Sequence, residues 1–125
     1  MKNTRAKKNL GESGERVAAL LLEQRGYKII ARNFRTRTGE MDIIAQDADG
    51  LAFVEVRARR NSYGSPEESV TMPRKRARLF AVAEEFLSAH PQYENFAWRI
   101  DLVAIELDRA GRVVRTDVVK NAVEG

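Results

Sequence analysis

The sequence contains no cysteine, a single histidine (His90), one tryptophan and three prolines. Without cysteine there is neither a disulfide nor a thiolate ligand, a usage that suits a reducing cytosol. One histidine excludes any metal set or proton relay built on a histidine pair. No apolar run approaches the roughly 20 residues of a membrane helix. The opening MKNTRAKKNLGESG has no apolar stretch that could serve as a signal peptide. A cytoplasmic protein without a membrane partner is therefore expected. At 125 residues the chain suits one domain, drawn at 11–125, preceded by a disordered basic arm over 1–10.

What the sequence does have is charge. Lys and Arg total 22 against 18 Asp and Glu, a formal net charge of +4 and a pI near 9.7. Such a balance permits a polyanionic partner. Arg57, Arg59, Arg60, Arg74, Lys75, Arg76 and Arg78 form one basic concentration. The ordinary reading of such a run is a solvated face. Its position beside a group of acids favours a nucleic-acid footprint.

Those acids lie in GEMDIIAQDADGLAFVEVRARR, Gly39 to Arg60. It reads as two strands joined by a short polar turn. Residues two apart on a strand share a face, so Glu40 and Asp42 point together, as do Glu55 and Arg57. A turn at Asp49-Gly50 sets Asp42 opposite Arg57. A loop centred on Ala48-Asp49 sets Asp42 opposite Glu55 and Glu40 opposite Arg57. Either gathers all four on one face.

Around this hairpin the pattern predicts a helix from Glu12 or Ser13 to just before Gly26, then a strand from Tyr27 to Arg35. The hairpin strands follow at Gly39–Gln46 and Leu51–Arg60. A Ser-, Gly- and Pro-containing loop spans Asn61–Thr71, and a second helix runs from Met72 or Pro73 to Ala89. Strands at Trp98–Leu107 and Arg112–Val119 complete the chain. Glu15 is anomalous, because Ala18, Ala19 and Leu22 place it on the core-facing side of the first helix. It is either a first-turn acid complementing the helix dipole or a carboxylate aimed over the sheet. The second helix opens with Arg74, Lys75, Arg76 and Arg78, the wrong sign for its dipole, as though its start met an anion. Asp101, inside an apolar strand, is expected to pair with an arginine, and His90 to cap a helix or lie at the surface.

Two carboxylates on adjacent strands repel unless a cation separates them. Magnesium or manganese is the natural neutraliser, since both take carboxylate, carbonyl and water oxygens. With phosphate oxygens completing the shell, Asp42 and Glu55 become metal ligands at a phosphodiester-cleaving site, and Arg57 a fixed cation beside them.

The run GERVAALLLEQRGYKIIARNFRTRTGEMDIIA, followed by FVEVRARR and WRIDLVAIE, resembles the YraN-like family of small bacterial proteins over about residues 11–122. That family is nuclease-related, of the PD-(D/E)xK superfamily, and similar in core to archaeal Holliday-junction resolvases. The resemblance implies a restriction-endonuclease-like α/β (α+β) fold: a central mixed sheet of about five strands flanked by helices, in the order αβββαββ. It implies Asp42 and Glu55 as metal ligands, the Val56 carbonyl as a further ligand, Glu15 as the helix carboxylate and Glu40 as an accessory acid. Arg57 stands where the superfamily motif usually has lysine, and an arginine stays charged. The expected function is a metal-dependent endonuclease acting on DNA, including branched or structured DNA, with a homodimer admitted. The alternative is a non-catalytic nucleic-acid-binding protein that keeps the nuclease fold; a structural partner in a larger assembly ranks third.

Overall fold

The computed structural model describes residues 4–60 and 73–123, with side chains from Ser13 onward. The expected loop over Asn61–Thr71 lies outside the described residues. The described elements are α1 (Thr4–Gln24), β1 (Lys28–Arg35), β2 (Glu40–Asp47), β3 (Gly50–Arg59), α2 (Pro73–Ala89), β4 (Trp98–Leu107) and β5 (Val113–Val123). This is the expected order αβββαββ, and the strands form one mixed sheet of five in the order β1-β2-β3-β4-β5. Neighbours run antiparallel except β3 and β4, which are parallel and joined through α2. A parallel pair needs such a long crossover, so the helix sits there by necessity.

One boundary differs from expectation. α1 begins at Thr4, ahead of the expected start at Glu12 or Ser13, and so takes in residues 4–10. Charge without apolar periodicity suggested disorder, yet Arg5, Ala6, Lys7, Lys8 and Leu10 are all good helix formers. They extend a helix already anchored further along. At its other end α1 closes as expected on Gly26, whose φ is 91°. The Tyr27 N–H donates to the Leu22 carbonyl and the Gly26 N–H to that of Glu23, both at 3.0 Å, a Schellman closure. Tyr27 and Leu22 are both buried, so the cap ends in an apolar contact.

The sheet separates two cores. Ala18, Ala19 and Leu22 of α1 pack on Ile43, Ala45, Ala52, Val54 and Val56. Leu79, Val82, Ala83 and Phe86 of α2 pack on Ile44, Leu51, Phe53, Ile100 and Leu102. Phe86 is wedged edge-on against Phe53 and Phe34, with centroids 5.7 and 5.3 Å away, which fixes α2 laterally. At one end of the sheet the Arg99 Nε donates to both Asp101 oxygens at 3.0 Å. Arg99 also reaches Asp47 at 2.7 Å and the Tyr27 hydroxyl at 3.0 Å, while the Asn121 N–H donates to Asp101 at 2.8 Å. Asp101 is therefore an arginine-paired structural acid, as expected. His90 at the end of α2 is half-buried, stacked on Phe86 at 4.0 Å, with Nδ1 2.8 Å from the Phe86 carbonyl.

At the other end, α1 approaches β3 unusually closely. A Cβ added at Gly14 would lie 2.7 Å from the Ala58 Cβ, inside any real carbon contact. Glycine here lets the middle of α1 lie against the strand, and the next residue is Glu15. We expect Gly14→Ala to destabilise the protein by roughly 1–2 kcal/mol, overpacking outweighing the gain in helix propensity. Combined with Ala58→Gly it should cost less than the two single changes added together. Urea unfolding of the four proteins measures this coupling, and strict additivity would disprove the contact.

Candidate functional site

β2 and β3 pair from Asp47↔Gly50 to Ile43↔Val54. The loop is therefore the Ala48-Asp49 alternative, with the Asp47 carboxylate accepting from the N–H groups of Asp49 and Gly50 at 2.9 and 3.1 Å. Carried one hydrogen-bonded step further, this register would bring Met41 opposite Val56. Instead the ladder opens, and the Val56 N–H donates to Asp42 Oδ2 at 2.7 Å. The strand also turns over here. Met41 and Ile44 belong to the α2 core, whereas Ile43 and Ala45 belong to the α1 core. Asn33, which the β1–β2 register sets opposite Asp42, takes a φ of 54°. Asparagine tolerates that region better than other side-chain-bearing residues.

The kink gathers the acids. Carboxylate oxygens of Glu15, Glu40 and Asp42 lie within 4.8 Å of one another. With its amide oriented to satisfy both contacts, Asn33 donates to Glu15 at 2.7 Å and Glu40 at 3.1 Å. Glu40 also meets Arg35 at 3.3 Å, an exposed pair of little energetic weight. Glu55 is only 5% exposed and faces two cations. Its Oε1 is 3.9 Å from Arg57 and its Oε2 3.2 Å from Lys75. The Lys75 contact is an ion pair without hydrogen-bond geometry, for Oε2 accepts no hydrogen bond and the Arg57 Nε, also buried, finds no acceptor among the described residues.

Glu15, Glu40 and Asp42 are thus brought together; Glu55 adjoins Asp42 outside that trio, Val56 meets Asp42 through its N–H, and Arg57 meets Glu55. Of the basic set, Arg60, Arg74, Arg76 and Arg78 are exposed and Arg59 is partly covered. Lys75 departs from its neighbours and turns into the acids. Asn33 escaped sequence reasoning, and Lys75 was expected in the nucleic-acid footprint, not against Glu55. Asn33 left no pattern to find. Lys75 did: it precedes Leu79, Val82, Ala83 and Phe86 on the buried stripe of α2 by helical spacing, the same signal that singled out Glu15.

The electrostatics match this crowding. Burial, then the neighbouring Glu55 charge, push the Asp42 carboxyl from 3.8 up to about 8; the Val56 N–H opposes the shift and Glu15 adds to it. Asp47, on the same strand, is held below its ordinary value by the Arg99 hydrogen bond. Carboxyls crowded in this way suit a cation, and a donor set of carboxylates suits a hard divalent ion such as magnesium or manganese.

The model of the uncharacterised protein family UPF0102 matches residues 14–105. A UPF0102 protein of Chloroflexus aurantiacus is 46% identical over 117 residues, covering 94% of each chain. One of Dehalococcoides mccartyi is 45% identical over 118 residues, again 94% of each. Among solved structures, SfsA of Pyrococcus furiosus in complex with Ca2+ aligns at 15% identity with a TM-score of 0.36, over 95% of this chain and 65% of that one. That likeness is too loose to carry an argument, and the chain spans less than two-thirds of that protein.

Because the folded-state pKa of Asp42 is raised, the metal-free protein binds this proton more tightly than the unfolded chain does. That contribution is fully present below about pH 4 and is lost as pH climbs towards about 8, a change of several kcal/mol. In chelator, Asp42→Asn should be more stable than the parent at pH 8 and nearly equal to it at pH 4. Equal denaturation midpoints at both pH values would show that Asp42 is not held in this way.

Proposed function

The chain belongs to the UPF0102 family, and from that membership and the geometry of the acids we propose a metal-dependent phosphodiesterase that cleaves DNA, with branched or structured DNA as candidate substrates. The carrying observation is the convergence of Glu15, Glu40 and Asp42 within 4.8 Å, beside the buried Glu55. Asp42 and Glu55 would hold magnesium or manganese with the Val56 carbonyl, Glu15 and Glu40 standing by as further carboxylates. When bound, the ion supplies charge stabilisation at the scissile phosphate and lowers the pKa of water.

The chain's own residues supply the rest. The reaction is hydrolysis: a water oxygen bonds to phosphorus, one phosphorus–oxygen ester bond breaks, and the leaving oxygen takes a proton to become a hydroxyl end. Arg57 is permanently charged, and its buried Nε–H has no acceptor among the described residues. It is suited to hold an anionic oxygen in place. Arg59, Arg60, Arg74, Arg76 and Arg78 grip the backbone on either side. Arg74 and Arg78, one helical turn apart and both exposed, are placed for neighbouring phosphates.

Incubation with linear, flapped and four-way DNA in magnesium or manganese should give cleavage that Asp42→Ala and Glu55→Ala each abolish. Cleavage surviving Glu55→Ala would sink the site. Arg74→Ala with Arg78→Ala should weaken binding and flatten the salt dependence by about one unit of slope for each phosphate no longer neutralised. Salt-dependent binding with no cleavage under any metal would favour the binding-protein alternative.

A further inference from the structure

Lys75 lies on the one face of α2 where a charge has no ordinary reason to be. Leu79, Val82, Ala83 and Phe86 of that stripe are buried, and an apolar residue at position 75 would continue it. A cation in the first turn also opposes the helix dipole. Arg74 and Arg76, on either side, reach solvent, while the Lys75 side chain is 26% exposed and directed to Glu55. What offsets both costs is the buried carboxylate 3.2 Å away. The two cations beside Glu55 are unequal. Arg57 is a planar group on a sheet strand, 3.9 Å from Oε1. Lys75 ends a flexible four-carbon stem on a neighbouring element, and its contact makes no hydrogen bond to fix it. Its ammonium can therefore shift by several ångströms without moving α2.

We propose that Lys75 is a catalytic cation of the site. It neutralises Glu55 while no metal is bound, gives way when a divalent ion takes that carboxylate, and then donates to a non-bridging oxygen of the scissile phosphate. The inference rests on the metal-dependent reading above. Lys75 gives up no proton in this step, so the atom and proton balance of hydrolysis is unchanged.

The test compares the parent protein, Lys75→Gln and Lys75→Arg. Calorimetry of the DNA-free proteins with Mn2+ reads the displacement. Removing a competing charge should tighten Mn2+ binding in Lys75→Gln by roughly tenfold, while Lys75→Arg stays near the parent. In chelator Lys75→Gln should melt at a lower temperature, because Glu55 loses its counter-charge, and Mn2+ should restore it. Cleavage at saturating DNA should fall by about 100-fold or more in Lys75→Gln, the loss typical of one transition-state donor, and less in Lys75→Arg. Weaker or unchanged Mn2+ binding in Lys75→Gln would show that the ammonium does not compete with the ion for Glu55, and either result overturns the proposal. Parental cleavage rates in Lys75→Gln would overturn it while leaving the nuclease reading intact. Failure of the parent protein to bind Mn2+ would remove both.

Discussion

The Val56 N–H is the hinge of this structure. In a regular hairpin it would bond to the opposite strand; here it goes to the Asp42 carboxylate at 2.7 Å. A side chain thereby finishes a ladder that the backbone leaves open, and the obligatory backbone donor stays satisfied. Two consequences follow. β2 can turn over, sending Met41 and Ile43 to opposite cores. Asp42 is also fixed at the opening, where carboxylates from α1, β2 and β3 meet.

Each helix then serves the opening from its own side of the sheet. α1 comes close enough at Gly14 to bring Glu15 to the acids, and α2, seated by Phe86 between Phe34 and Phe53, brings Lys75 to Glu55. Both residues occupy core-facing positions on helices that otherwise bury apolar side chains. The sheet is thus a septum whose two cores meet only in chemistry, at one end.

Much of this was legible beforehand. Strand and helix order followed from periodicity and turn residues, and Glu15 stood out because its spacing conflicted with its charge. Lys75 carried the same conflict, hidden inside a run of basic residues that invites a single reading. The convergence of Glu40 and Asp42 was expected for a reason that holds only in part. Strict alternation predicts a shared face, yet alternation breaks between Met41 and Ile43, and the acids meet through a kink. Such a kink depends on a positive φ at Asn33 and on a tertiary hydrogen bond to Asp42. Neither has a one-dimensional signature. The early start of α1 was missed for a different reason: a polar, basic stretch can be helical by propensity alone once a helix exists to extend.

The two aspartates of β2 make the functional case most directly. Asp47 and Asp42 lie on one strand, and the chain treats them in opposite ways. At Asp47 the protein supplies its own guanidinium at 2.7 Å, and the carboxyl is held ionised. At Asp42 burial and neighbouring acids drive the carboxyl towards its protonated form. A fold able to place Arg99 so well at one end had the means to neutralise the other end. Among the described residues it places there an arginine at the margin of Glu55, a lysine on a movable stem and the exposed Arg35 beside Glu40. A buried carboxyl kept from ionising lowers stability as pH rises above its ordinary pKa, so its retention needs a reason outside folding. On the metal-dependent reading proposed above, a cation arriving from solvent together with an anionic substrate would supply that reason.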